Sequence, residues 1–306
     1  GVMVPSVQTV SSFAYLLESY QEFAVGKRSR ADVSAFASRL STHLFNLQRD
    51  LRDGTYQHGR YARFTVSDPK PRLIHKATVR DRVVHQALHR ALTPLFERQF
   101  IHDSYASLPR KGTHRALNRF RSLARQVSRN HTQTVWVLQC DIKQFFATID
   151  HGVLGQILDQ QLVDSRLRWL LGEVIESFQT EGAPGVGLPL GNLTSQLLAN
   201  VYLNQLDQWI KRDWKAAHYI RYADDFVVLH PDRATLAALI PQIGSFLEGQ
   251  LHLALHPRKV TISTLGRGVD WLGWVHFPHH RVLRTPTKRR MLARLTVDQR
   301  EPVLAS

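Results

Sequence analysis

Two adjacent acids, Asp224 and Asp225, sit in the middle of the stretch from Tyr219 to His230, whose β-branched and aromatic residues read as a strand, a tight turn and a second strand. Like charges held side by side cost stability. A divalent cation is the simplest compensation, and ligands that are all oxygen favour Mg2+ or Mn2+ over zinc. A solvated surface turn is the alternative reading. A partner acid should lie at another strand end, and the β-rich run from Val135 to Cys140 delivers Asp141. Three carboxylates from two strands can hold two metal ions roughly 4 Å apart. Such a pair suits in-line displacement at phosphorus, with a hydroxyl activated and a pyrophosphate leaving group stabilised. The spacing between the acids is not diagnostic by itself, but their flanking residues are.

Other elements must position these acids. Ser11 and Ser12 can cap a helix carrying Phe13, Leu16, Leu17, Tyr20 and Phe23 at helical spacing, ending near Gly26. A second helix is predicted from Ala31, with Val33, Phe36, Leu40, Leu44 and Leu47 on one face. Asp68-Pro69-Lys70-Pro71 reads as a loop, and Arg80 to Phe100 as a helix that Pro94 could kink. The glycine-rich run 181–187 is no P-loop, because no Gly-Lys-Ser/Thr follows. Helices are predicted from Asn192 to Arg212 and from Asp232 to Glu248, with strands returning over 259–275. Asp150 reads better as the cap of the following helix than as a site acid. His279 and His280 read as a surface pair near nucleic acid, and the sixteen histidines contain no His-Glu-x-x-His motif.

Composition narrows the class. A chain of 306 residues, 43% hydrophobic, is long enough for a substantial core divided among subdomains. No apolar run is long enough to span a membrane and no signal peptide is evident, so a cytoplasmic location without membrane partners is expected. The single cysteine, Cys140, excludes an internal disulfide and a cysteine-rich zinc site. Net charge is +15, and residues 1–130 hold 22 Lys+Arg against 9 Asp+Glu. So one-sided an excess favours a polyanion as partner.

The chain resembles a reverse transcriptase, most closely those of diversity-generating retroelements. The resemblance rests on blocks in family order: Lys70-Pro71-Arg72, Arg80 to Gln86, Asp103 to Ala106, Lys111 to Leu117, Asp141 to Phe146, Gly187 to Gln196, Tyr222 to Asp225, His256 to Val260 and Trp271 to Trp274. It implies an α+β right-hand polymerase with helical fingers, an antiparallel-sheet palm and a short or partial thumb. The divisions expected are an N-terminal helical segment over 1–66, fingers and palm over 67–280, and the start of a thumb over 281–306.

The resemblance also implies roles. Asp141, Asp224 and Asp225, with the Ile142 backbone carbonyl, would bind Mg2+ (or Mn2+). Lys259 would serve the leaving pyrophosphate. Arg72, Lys76, Arg80 and Gln196 would contact the incoming nucleotide, and Phe146 would exclude a 2′-hydroxyl. Leu272 and Gly273 would form the primer grip, while Arg110, Lys111 and Arg115 would bind nucleic acid. Leu190, before Gly191, replaces an amide common in other reverse transcriptases, so the pair is assigned to fidelity. The implied partners are template RNA, the RNA/DNA hybrid, dNTPs and a small accessory variability protein, and the implied product is cDNA with errors at adenines. A defence-associated reverse transcriptase and a non-catalytic RNA-binding scaffold on the same fold are the rivals. A retron enzyme is disfavoured, because neither Asn-Ala-x-x-His nor Val-Thr-Gly stands where expected.

Overall fold

A computed structural model describes residues 4–67, 70–108 and 110–285. In chain order its elements are α1 (Val7–Val10), α2 (Phe13–Ala24), α3 (Ala31–Ala37), α4 (Leu40–Asp53), β1 (Ala62–Val66), β2 (Arg72–Lys76), α5 (Val79–Glu97), α6 (Thr113–Val127), β3 (Trp136–Asp141), α7 (Phe145–Thr148), α8 (His151–Gln161), α9 (Ser165–Glu176), α10 (Leu193–Gln208), β4 (Tyr219–Tyr222), β5 (Asp225–His230), α11 (Arg233–Phe246), β6 (Thr261–Thr264), β7 (Val269–Trp271), β8 (Trp274–His276) and β9 (Arg281–Leu283). They fall into two compact units, each assembled from three stretches of chain. Among the described residues no helix is long and apolar enough to cross a membrane.

The first unit comprises residues 1–102, 142–209 and 245–254 and is mainly helical. Ser12 caps α2 by accepting from the Tyr15 amide, and Leu16, Tyr20 and Phe23 are buried. The helix expected from Ala31 onward is broken into α3 and α4. At the break the Ser38 hydroxyl donates to the Ala35 carbonyl, and Arg39 takes a non-helical backbone at φ −132° and ψ 42°. Both segments keep their apolar stripes buried. An antiparallel hairpin, β1 with β2, follows. Sequence reading missed it because its side chains are mostly exposed and give no alternating burial signal. Helix α5 continues through Pro94, and Thr78 caps it by accepting from the Asp81 amide. Asp150 caps α8 by accepting from the Val153 amide. Helix α10 passes into a π-helical turn over Trp209–Asp213.

The second unit comprises residues 103–141, 210–244 and 255–306 and holds two antiparallel sheets. One has the order β4-β5-β3-β6, the other β7-β8-β9. Val137, Ile220, Val227 and Leu229 pack with Phe120, Leu123 and Val127 of α6, and with Trp271, in one core. The rings of Phe120 and Trp271 lie 5.4 Å apart. Leu138, Cys140, Phe226 and Val228 are buried as well, so the central strands have no solvent face. That explains their continuous apolar runs. Residues 281–283, placed with the thumb on sequence grounds, pair as β9 with β8; residues 286–306 lie outside the described residues.

Candidate active site

The acids converge because register places them together. In the β3–β5 ladder Asp141 pairs directly with Asp225, and in β4–β5 Tyr222 pairs with Asp225. That leaves Ala223 and Asp224 as a two-residue turn, with Ala223 at φ 54°. A left-handed alanine is strained by roughly 1 kcal/mol or more. Arg221, which is fully buried, answers this turn: its Nη1 donates to the Ala223 carbonyl at 3.0 Å and its Nη2 to Ser104 Oγ at 3.1 Å. Its backbone is bound on both sides, donating to the Asp103 carbonyl and accepting from the Tyr105 amide. Sequence reading did not single out Arg221. A cation inside a strand of otherwise apolar neighbours was the available signal.

Burial first, then the charge of Asp141, pushes the Asp224 carboxyl up to about 6; a hydrogen bond with Asp141 adds to this, and Lys259 opposes it. Burial and Asp141 push Asp225 up to about 7, against the Trp271 indole, whose Nε1 donates to Asp225 Oδ1 at 3.2 Å. Lys259 Nζ lies 3.3 Å from Asp141 Oδ2. Its loop is tied to the end of β3, because the His256 amide donates to the Asp141 carbonyl and the Lys259 amide to the His256 carbonyl. Leu272 and Gly273 form the turn between β7 and β8, at φ 52° and 82°. Two positive angles in succession define a type I′ hairpin turn, which makes leucine an unusual occupant.

As they stand, no three His, Cys, Asp or Glu side chains among the described residues are grouped as a ready-made ion cage. The donor chemistry nevertheless fits a hard divalent cation. The side-chain donors are carboxylate oxygens, and burial followed by the charge of Asp141 makes two of them hold protons unusually tightly, which a cation would relieve. Lys259 supplies one positive charge.

Other expected site residues lie as follows. In the second unit Lys111 Nζ sits 4.6 Å from the centre of the Tyr105 ring, while Arg110 and Arg115 are exposed. In the first unit Ile142 and Phe145 are buried, and Phe146 is partly exposed with its ring 5.4 Å from that of Phe145. Arg72 is exposed on β2. Lys76 pairs with Asp32 at 3.2 Å and Arg80 with Asp50 at 2.5 Å, so each already has a carboxylate partner. Gln196 is exposed on α10. Gly191 takes φ 90°, and a Cβ there would come within 3.0 Å of Ile74. Beside it the Asn192 side-chain Nδ2 donates to the His75 carbonyl at 3.0 Å, fastening this loop to β2.

Comparison with known proteins agrees with this architecture. Residues 67–276 match the family model described as reverse transcriptase (RNA-dependent DNA polymerase). Protein YkfC of Escherichia coli K12 is 28% identical over 286 residues, covering 81% of this chain and 73% of that protein. The group II intron-encoded protein LtrA of Lactococcus lactis is 26% identical over 169 residues, or 53% of this chain and 27% of that one. Among solved structures, a telomerase from Candida tropicalis truncated from its C-terminal domain superposes with a TM-score of 0.55 at 9% identity, over 74% of this chain and 54% of that one. Telomerase from Candida albicans, solved with a fragment of telomeric RNA, gives 0.55 at 10% identity over 75% of this chain and 47% of that one. The chain thus spans about half the length of these telomerases. The fold is that of a right-hand polymerase, and the chain belongs to the reverse transcriptase family, the RNA-dependent DNA polymerases.

Proposed function

We propose that this protein synthesises DNA on an RNA template by nucleotidyl transfer at Asp141, Asp224 and Asp225. The observation that carries the reading is the direct pairing of Asp141 with Asp225 across β3 and β5, with Asp224 on the adjoining turn. Both carboxylates are only partly exposed and lie near the Asp141 charge, which a solvated surface turn would not require.

Asp141, Asp224 and Asp225 would hold Mg2+ or Mn2+ together with the Ile142 carbonyl. When bound, the metal supplies an activated primer hydroxyl and charge stabilisation for the pyrophosphate. The protein's own groups do the rest. The Lys259 ammonium, beside Asp141, neutralises or protonates the leaving pyrophosphate. Phe146 bars a 2′-hydroxyl, and Gln196 lies beside the nascent base pair. Arg72, Lys76 and Arg80 receive the triphosphate, the latter two by exchanging Asp32 and Asp50 for phosphate. Leu272 and Gly273 grip the primer. Arg110, Lys111 and Arg115 bind the nucleic-acid backbone. Primer extension on an RNA template tests the mechanism: Asp224→Asn, which keeps shape but removes a charge, abolishes synthesis. Near-normal extension by the folded variant removes Asp224 from the chemistry and favours an RNA-binding scaffold.

The finer reading is a diversity-generating retroelement enzyme that makes errors at template adenines with an accessory variability protein. Leu190 supports it, as an aliphatic residue beside the left-handed Gly191, at the position where the resemblance gives other reverse transcriptases an amide. Sequencing of cDNA made on one RNA template tests it, and a uniformly low error rate returns the protein to another reverse transcriptase group, the defence-associated one included.

A further inference from the structure

The acids lie at one end of β3, and a cleft holding two histidines lies at the other. At about 3.3 Å per residue, Trp136 lies roughly 17 Å along the strand from Asp141. Beside that far end is a cleft of about 490 Å³ whose lining includes Ser128, His131, Thr132, Gln133, Thr264 and His279, and no Asp or Glu. Its size is in the range of sites that take small ligands.

Residues 104–140 contain seven Lys or Arg and no Asp or Glu. Arg119 has a partner, Asp103 at 2.9 Å. Arg121, Arg125 and Arg129 are exposed and have no ion pair among the described residues. Arg125 reaches only a neutral group, the Asn130 side-chain oxygen at 3.0 Å. The His131 ring stands 4.3 Å from that of His279, and its Nδ1 is buried with no hydrogen-bond partner. Burial first, then the charges of His279, Arg125 and Arg121, hold His131 below the usual imidazole range, so both guanidinium groups act on this ring.

The turn that carries His131 is firmly built. Arg129, Asn130 and His131 all take positive φ, at 49°, 61° and 66°. Three such non-glycine residues in a row are costly. Ser128 offsets this: its hydroxyl oxygen accepts from the His131 amide at 2.8 Å and its carbonyl from the Thr132 amide at 2.9 Å. A surface adapted only to solvent mixes charge signs to limit self-repulsion. This one does not. Hydroxyls, an amide and two imidazoles line the cleft, and Arg121 and Arg125, outside its lining, act on His131 with positive charge; together these suit a phosphate.

We propose that this cleft binds a phosphodiester of the RNA outside the copied segment, anchoring a flank of the template at the end of β3 remote from the acids. This rests on the RNA-templated reading above. The test uses the full chain and a long labelled RNA, with affinity followed by anisotropy across a salt series. In parallel, extension is measured on a short pre-annealed hybrid. The double variant Arg121→Gln/Arg125→Gln lowers the slope of log affinity against log salt by about 1.4 to 1.8, two phosphates at roughly 0.7 to 0.9 each. It leaves extension of the short hybrid unchanged. The pair His131→Ala/His279→Ala weakens long-RNA binding in the same selective way, and Arg121→Lys/Arg125→Lys restores the slope, which a folding defect would not allow. An unchanged slope overturns the proposal, as it would if the face instead received an acidic protein. Equal loss on the short hybrid overturns the separation from the active site. Full competition by millimolar inorganic phosphate overturns RNA as the ligand. If the double variant lowers the slope as expected while the parent extends no primer, the polymerase reading is refuted and the cleft stands.

Discussion

Asp141 stands directly opposite Asp225 in the β3–β5 ladder, and the Trp271 indole donates to Asp225 Oδ1 from the neighbouring sheet. Cross-strand partners lie about 4.5 to 5.5 Å apart at Cβ, and like charges there destabilise a sheet. The site is therefore kept at the expense of stability, a relation common where function demands charge. Asp225→Asn should separate the two. Metal-free, the variant melts higher by a few degrees, corresponding to about 1 kcal/mol in a chain of this size. Its extension activity falls on the order of a hundredfold or more, several kcal/mol of lost charge stabilisation. A lower melting temperature would mean that the Trp271 hydrogen bond outweighs the repulsion.

Arg221 links the turn to the segment before α6, since its guanidinium bridges the Ala223 carbonyl and Ser104 Oγ. On the proposed mechanism it is a positioning residue. Arg221→Lys cannot make both bonds, and an unsatisfied buried partner costs about 1 to 3 kcal/mol. The expected signature is a lower kcat with the KM for dNTP little changed, because the turn is misplaced while nucleotide contacts are not. A rise in KM alone would assign Arg221 to substrate binding instead.

The elements with a one-sided or a continuous apolar run were legible in the sequence. The Phe13–Ala24 helix, the Trp136–Asp141 strand and the acidic hairpin follow from periodicity and turn chemistry. The β1–β2 hairpin was not, because Phe64, Val66 and Leu73 are exposed and obey no burial rule. The break between α3 and α4 was hidden because the apolar spacing runs through it unbroken. The three acids could be named from their flanks, but the Asp141–Asp225 register could not. Nor could Arg221, whose partners Ser104 and Ala223 depend on tertiary placement.

A buried histidine pair predicts acid sensitivity. His58 Nε2 and His85 Nε2 are 2.9 Å apart, beside the buried Asp81 and with Tyr61 on His58. Burial, then the charge of His58, holds His85 down to about 3, against Asp81. His276 is likewise held down to about 4, chiefly by burial. A histidine depressed in the folded state stabilises fully above its unfolded pKa of roughly 6.5 and loses that stability as pH falls toward the folded value. Urea unfolding should therefore show stability falling below pH 6.5. His85→Gln removes about 1.4 kcal/mol per pH unit of that slope. An identical slope in the variant would place the proton uptake elsewhere.

Phe145 and Phe146 divide their surroundings, the first buried and the second partly exposed. On the proposed mechanism the Phe146 ring, five residues after Asp141 in the sequence, tests the sugar. Phe146→Ala should raise incorporation of ribonucleotides relative to deoxyribonucleotides by on the order of tenfold or more, about 1.4 kcal/mol of steric discrimination. Competition between the two nucleotide types on one template measures it. Unchanged discrimination would make Phe146 a packing residue.

Leu190 precedes Gly191, where φ is 90° and a Cβ would press on Ile74 at 3.0 Å, and Asn192 fastens the same loop to β2. The loop is thus fixed in place, and a change at Leu190 alters its chemistry more than its path. An aliphatic side chain offers no hydrogen bond to reward correct geometry. One such bond is worth roughly 0.5 to 1.5 kcal/mol, which at 1.4 kcal/mol per tenfold changes discrimination several-fold. Leu190→Gln should therefore lower misincorporation at template adenines several-fold, with extension on matched bases little affected. Sequencing the products of parent and variant on one RNA template measures both. Equal error rates at adenines would show that Leu190 only packs the loop, and that infidelity, where present, arises from another contact.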